Sequence, residues 1–522
     1  MRKLLGVASL LVVASCSDQH LVEPAGDSAI AAAAVSDGPA GSRIVQGEYL
    51  VLFKTTERDP DLAAREVARR TPNGTVLAIW KPLHGAWLRL PGAAIEHVRA
   101  NPRVAYVEPN RVGYLTTTAC GAVTCQTIGW QYDNWGLDRI DQLDNPLDGY
   151  FAYNANGTGV HIWIFDKGVD TTGIAEIESR VDRTSYWSYD GASPFEPCHT
   201  HGNNVAIMAA GFVHGVAKGA TINVARISNT CDNTVDFGAA TSAYVWVADH
   251  AARPAVINQS SSGSASTVLE MAVRLAVSSG ITVVVSAGND GANACDYTPA
   301  RESQAITVGA TDMWDYRVVR WNEQGWASNY GSCLDLFAPG YNVISGYPSA
   351  TSTFGGTSAA APMTAGVAAL YLQDQPSATP ATVAQWIAGN ASPGTLLNIG
   401  SGSPNRMLHS RSAAAAPTVT SAVTNPNPAR QYTPFTLTIT GSGFNPQFAE
   451  IVITPAGCGT NYDTGTCVSI ISNGSLTTKT PTQLVAQNLV WSMSGVKDVY
   501  VRNGRNGYLS LPARQITVNP MY

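Results

Sequence analysis

Apolar and polar positions in this chain follow one rhythm at each end and another in the middle. From Gly47 the run Glu48-Tyr49-Leu50-Val51-Leu52-Phe53 reads as a strand, and Asp61 to Arg70 as a short amphipathic helix. Thr75 to Pro91 is strand material, Ala93 to Ala100 a second helix, and Val104 to Glu108 a last strand. The order β-α-β-α-β within residues 43–112 fits a small ferredoxin-like α+β unit of about seventy residues. Between Trp135 and Ser412 the β-rich runs are Val160 to Asp166, Asn223 to Ile227, Val256 to Ser260, Thr282 to Ser286 and Ile306 to Gly309. They alternate with segments of helical spacing, such as Val268 to Ser278 and Ala359 to Leu372. That alternation predicts an α/β domain over residues 135–412, a doubly wound, mostly parallel sheet covered on both faces. A linker at 413–417 follows. Beyond it, strand-like Thr436 to Thr440, Ile451 to Thr454, Leu484 to Leu489 and Lys497 to Arg502, separated by turn residues, predict an all-β sandwich over residues 418–522.

The first apolar run has another meaning. Leu4 to Ser15, behind Arg2 and Lys3, is too short to span a bilayer and has the form of a signal-peptide core, so residues 1–15 imply export. Val13-Ala14-Ser15-Cys16 resembles the lipobox of bacterial lipoproteins, which implies a lipid anchor at Cys16; the alternative is an ordinary secretory peptide with an incidental cysteine. Residues 16–42, rich in Ala, Ser, Gly and Asp, read as a tether. Nine cysteines less Cys16 leave eight, an even number suited to disulfides in an oxidising compartment. With 45% hydrophobic and 13% charged residues and a net charge of -6, the 522-residue chain is neither disordered nor a basic nucleic-acid binder.

Three segments carry candidate chemistry. Gly355-Gly356-Thr357-Ser358-Ala359-Ala360-Ala361-Pro362 sets a serine after a glycine turn at the start of a helix, where free N–H groups favour an anion. His201-Gly202-Asn203-Asn204 sets a histidine at the mouth of another helix. Asp166 ends an apolar strand, so its carboxylate emerges at the carboxyl edge of the sheet, where open α/β folds hold their sites. Each alone has a structural reading: an N-capping serine, a satisfied histidine, an aspartate capping a turn. Together, in the order Asp, His, Ser, they form one of the known arrangements of a nucleophilic triad.

On these residues the chain resembles the subtilisin-like serine proteases, and within them the proteinase K branch. Trp135-Gly136-Leu137-Asp138-Arg139-Ile140-Asp141-Gln142 is similar to that branch's mature start, and Ser286-Ala287-Gly288-Asn289 to the family's oxyanion segment. Ile306 to Thr311, Phe337-Ala338-Pro339-Gly340 and Gly356-Thr357-Ser358 extend the resemblance. It implies that Ser358 is the nucleophile, His201 the general base and Asp166 the residue that orients it, with Asn289 donating to the oxyanion. Gln259 to Gly263 and Ser286 to Gly288 would line the substrate pocket. Residues 43–112 resemble the family's inhibitory propeptide, residues 113–134 a processing segment, and residues 418–522, with Thr440-Gly441-Ser442-Gly443-Phe444, an immunoglobulin-like domain of the IPT/TIG kind.

The resemblance also implies disulfides Cys198–Cys231 and Cys295–Cys333; proximity suggests Cys120–Cys125 and Cys458–Cys467. It implies a structural calcium at Asp335 with the carbonyls of Ser303 and Ala305, and no cofactor for catalysis. Five positions depart from the family pattern: Lys167 stands where it has Thr or Ser, Asn203 and Asn204 where it has Thr and His, and Ala359 and Met363 where it has Met and, later, His. Two readings therefore stand, an exported serine endopeptidase acting on proteins and peptides and held by its own propeptide, or a cell-envelope binding protein that reuses the fold without turnover.

Overall fold

The computed structural model describes residues 43–115, 134–410 and 418–520, apart from 144, 146, 148–150, 152, 154, 198, 229, 320–325, 350–351, 445–448, 456–468, 472–474, 493 and 504–513. The expected signal segment, tether, Cys16 and linker lie outside these residues, as do 116–133 of the expected processing segment. The first unit contains β1 (Arg43–Phe53), α1 (Pro60–Arg70), β2 (Thr75–Trp80), β3 (Gly85–Arg89), α2 (Ile95–Arg99) and β4 (Val104–Leu115). The helix α1 starts where it does because the Asp59 side chain accepts from the Leu62 N–H and Pro60 needs no helical partner. The strand material after Thr75 divides in two because a turn of 3₁₀ helix at Lys81–Leu83 ends on His84 in the left-handed region, φ 48°. The order is thus β-α-β-β-α-β, with the four strands arranged β4-β1-β3-β2, all antiparallel.

The central unit opens with α3 (Trp135–Ile140) and continues with β5 (His161–Asp166), β6 (Trp187–Ser188), α4 (His201–Ala210), β7 (Thr221–Arg226), β8 (Thr234–Asp236) and α5 (Phe237–His250). Then come β9 (Ala255–Gln259), β10 (Ser261–Ser264), α6 (Thr267–Ser278), β11 (Thr282–Ser286), β12 (Tyr297–Thr298), β13 (Ile306–Thr311), β14 (Leu336–Pro339), α7 (Thr357–Asp374) and α8 (Pro380–Asn390). Seven strands run parallel in the order β14-β13-β11-β9-β5-β7-β6, extended past β14 by Arg406–Met407 and Ser392–Pro393. Successive residues of one strand face opposite sides, and each side has its own helices. Ile162, Ile164, Val224, Val256 and Val284 pack with residues of α4 and α7. Trp163, Phe165, Ala225, Ile257 and Val285 pack with residues of α5 and α6. Because the chain leaves β5 for β7 on one side and returns to β9 on the other, a crevice opens at the carboxyl ends of these strands.

The strand β4 continues seven residues past Glu108, the end that the sequence pattern predicts, because its partners there lie in the central unit. It pairs antiparallel with β8 (Val112↔Asp236, Gly113↔Val235, Tyr114↔Thr234) and with β10 (Ser261↔Leu115, Ser262↔Tyr114). Leu50, Leu52, Trp80 and Trp87 of the first unit share a core with Phe237, Ala239, Ala240 and Leu269. The C-terminal unit is two sheets over one core: Val419, Leu437, Ile439 and Leu484 from the four-stranded sheet meet Ile451, Ile453, Val499, Val501 and Val518 from the five-stranded one. Among the described residues no helix is long and apolar enough to cross a membrane.

Candidate active site

Asp166, His201 and Ser358 arrive at one point from three elements. Asp166 is the last residue of β5, fully buried at the carboxyl edge of the sheet. His201 is the first residue of α4, a helix buried along its whole length. Gly202 lets that helix end approach the loop after β5, since a Cβ there would stand 2.0 Å from the Gly168 carbonyl oxygen. Ser358 is the second residue of α7, behind Gly356, whose φ of 94° turns the chain sharply into the helix. His201 Nδ1 lies 2.6 Å from Asp166 Oδ2, and His201 Nε2 lies 3.1 Å from Ser358 Oγ. An ionised carboxylate only accepts, so Nδ1 carries the proton and Nε2 is the basic nitrogen. The Ser358 hydroxyl is also 3.0 Å from the Ser260 carbonyl oxygen, giving its single hydrogen two acceptors.

Asn289 is held by its oxygen. Its Oδ1 accepts from the Thr357 N–H at 3.0 Å and from Thr357 Oγ1 at 3.1 Å, and the Gly288 N–H in turn donates to Thr357 Oγ1. Pinning the oxygen fixes which end of the amide carries the N–H₂ donors. Thr357, next to the serine in sequence, therefore orients this amide.

The departures beside Asp166 and His201 each have a structural counterpart. Lys167 is buried, with its side chain only 1% exposed, and its backbone N–H donates to Asp166 Oδ1 at 2.8 Å. Burial pushes its ammonium below the usual lysine range. Asn203 donates to the Asp170 carbonyl at 2.9 Å and accepts from the Asp170 N–H at 3.1 Å, so it fastens α4 to the loop after β5. Asn204 donates to Thr200 O, and its Oδ1 is buried with no hydrogen-bond partner among the described residues.

The crevice has two peptide edges, β8 and β10, and β4 lies between them. A Cβ at Gly113 would stand 2.4 Å from the Phe237 ring, so only glycine fits there as packed. Two side chains of β4 dock on helix starts. Glu108 accepts from Ser266 Oγ at 2.6 Å and from the Val268 N–H at 3.4 Å, at the start of α6. Asn110 accepts from the Gly238 N–H at 3.0 Å, at the start of α5, and donates to both Glu48 and Asp236 at 3.0 Å. Burial pushes the Asp236 carboxyl up to about 6, with Glu48's charge adding to the rise, and burial also raises Glu108. Sequence reasoning missed these contacts, although a polar Glu-Pro-Asn ending an apolar strand was the available signal.

Asp335 lies away from this site. Its Oδ2 accepts from the Thr307 N–H at 2.8 Å, and burial pushes its carboxyl up to about 6. Cys295 and Cys333 form a disulfide, and Cys231 is disulfide-bonded. Cys198, Cys120, Cys125, Cys458 and Cys467 lie outside the described residues.

Comparisons place this geometry among known proteins. Residues 157–425 match the model of the Peptidase_S8 subtilase family. An extracellular serine proteinase of Thermus sp. (strain Rt41A) is 40% identical over 333 residues, covering 63% of this chain and 75% of that one. Alkaline serine exoprotease A of Vibrio alginolyticus is 37% identical over 318 residues, 60% of this chain and 56% of that one. In fold, the crystal structure of fervidolysin from Fervidobacterium pennivorans, a keratinolytic enzyme related to subtilisin, aligns with a TM-score of 0.53 at 17% identity, covering 92% of this chain and 79% of that one.

Proposed function

Because the chain belongs to the subtilase family, we infer that it is an exported serine endopeptidase, hydrolysing peptide bonds through an acyl-enzyme. The observation that carries this is the continuous contact from Asp166 through His201 to Ser358, at 2.6 and 3.1 Å, in side chains that are all buried. Ser358 Oγ attacks the substrate carbonyl carbon while its proton passes to His201 Nε2; the same nitrogen then protonates the departing amine. Asp166 holds Nδ1–H and stabilises the imidazolium. The developing oxyanion is met by the Asn289 amide N–H₂ and the backbone N–H at Ser358, a pair that removes the need for a metal at the reacting carbonyl. Water then enters by the same base and releases the acid. None of the five departures removes a triad side chain, so a binding protein without turnover has no structural observation in its favour.

The first unit acts as an inhibitory propeptide. The support is β4, which occupies the crevice in the antiparallel manner of a peptide substrate and leads on toward Ser260 and the nucleophile. The enzyme cuts itself between Val112 and Trp135. We read the C-terminal sandwich as an IPT/TIG-like binding domain, and the N-terminus as an export signal with a lipid anchor at Cys16. A structural calcium at Asp335 would use a half-buried carboxylate that burial pushes up to about 6 against the opposing charge of Arg406, one that a hard cation would return to its ionised form. The carbonyls of Ser303 and Ala305 would complete the protein's share of that site.

A fluorophosphonate probe tests the endopeptidase reading, since it labels an activated serine. Labelling of the wild type but not of Ser358→Ala, with uncut precursor accumulating in that variant, is the expected result. An unlabelled wild type, or normal processing of Ser358→Ala in a protease-free host, would refute it.

A further inference from the structure

Asp166 is followed by a lysine whose side chain never reaches water, although an ammonium is costly to bury and keeps such a place only when its surroundings repay it. The repayment comes from one segment. Lys167 Nζ donates to Ser228 Oγ, to Thr230 O and to Thr230 Oγ1, each at 3.0 Å, and lies 3.7 Å from Asp232 Oδ1. That same carboxylate oxygen accepts from Thr230 Oγ1 at 2.6 Å, from the Thr234 N–H at 3.0 Å and from Thr234 Oγ1 at 2.5 Å. Ser228, Thr230 and Asp232 are therefore gathered around the ammonium, and Thr234 is tied to the same carboxylate. Thr234 is the first residue of β8, the edge strand opposite Tyr114 of β4. At its other end Lys167 is joined to Asp166, through the N–H bond to Oδ1.

We propose that Lys167 is a positioning residue which fastens the edge strand of the substrate cleft to the catalytic strand, so that recognition of an extended peptide depends on its ammonium. This rests on the endopeptidase reading above. A small hydroxyl side chain at this position could hydrogen-bond near Asp166 but could not reach Thr230. The lysine thus serves the strand edge, and only substrates long enough to pair with β8 feel it.

The experiment compares Lys167→Met, which keeps length and removes charge, with the wild-type mature enzyme on two substrates. One is an internally quenched octapeptide spanning β8 and β10, and the other a single-residue ester that reaches neither edge. The ratio of kcat/KM for peptide over ester should fall at least about tenfold, the scale of one lost hydrogen bond to a charged group, with the loss residing in KM. Thr230→Val, on the solvent side of the same contact, should shift the ratio in the same direction by a smaller factor, and decides the matter if Lys167→Met does not fold. An unchanged ratio in Thr230→Val, or a Lys167→Met loss equal on both substrates and confined to kcat, overturns the proposal. In either case ester turnover and fluorophosphonate labelling of the wild type leave the endopeptidase reading standing, whereas their absence from the wild type overturns both.

Discussion

Holding the first unit in the cleft has an electrostatic cost that pH controls. Asp236 and Glu48 face the same Asn110 amide, and burial raises the Asp236 carboxyl from 3.8 to about 6, with the Asn110 hydrogen bond opposing the rise and Glu48's charge adding to it, so that above this pH two carboxylates meet at one buried donor. A group whose value in the folded chain lies above its ordinary one contributes fully at pH below 3.8 and loses that contribution as pH rises through about 6. The difference corresponds to ~3 kcal/mol if wholly desolvated, and to about 1–2 kcal/mol for a carboxylate at an edge that water reaches. Asp236→Asn removes the charge and keeps an oxygen to accept from the Ala239 N–H. In a Ser358→Ala background, which on the self-cleavage reading above keeps the precursor whole, the added Asp236→Asn should slow hydrogen exchange at the β4 amides paired with β8. We expect about tenfold at pH 7.5 and no difference at pH 4. Equal effects at both values, or none at pH 7.5, would show that the charge on Asp236 does not weaken the contact.

Asn289→Ala should lower kcat by about 10² to 10³ with little change in KM, because the amide acts on the oxyanion and not on the bound peptide; steady-state kinetics on a peptide substrate checks this. Mild peroxide should spare activity: the residue after Ser358 is Ala359, and the buried Met363 ends at Gly136 of α3, so Ala359→Met should create a sensitivity that the wild type lacks in timed inactivation assays. Replacing Cys295 and Cys333 by serine opens a 38-residue loop and should reduce stability by up to ~4 kcal/mol in urea unfolding.

What could be read from the chain follows from the range of the forces involved. Strands such as Thr282–Ser286 are legible because burial on both faces demands unbroken apolar runs. Asp166, His201 and Ser358 are legible because each sits beside a local element, a strand end or a helix start, that announces itself within a few residues. The helix α5 escapes, since it is apolar on nearly every side and shows no stripe. The extension of β4 escapes because Gly113 finds its partner at Val235, far along the chain. Lys167 escapes for a third reason: a lone charged residue reads as exposed, and only the fold brings Ser228 and Thr230 around it.

The two rails that receive β4 are the short strands β8 and β10, whose main-chain donors and acceptors face it from either side. On the reading of β4 as a substrate mimic, a peptide entering there is bound chiefly through its backbone, which every sequence possesses. What it must bring is a stretch of chain with those groups unspent. A helix has already committed them to itself, and an internal sheet strand to its neighbours. The shape of this groove therefore selects by folding state before it selects by side chain: unfolded, frayed or looped segments are admitted, and a well-packed protein is refused until some part of it lets go.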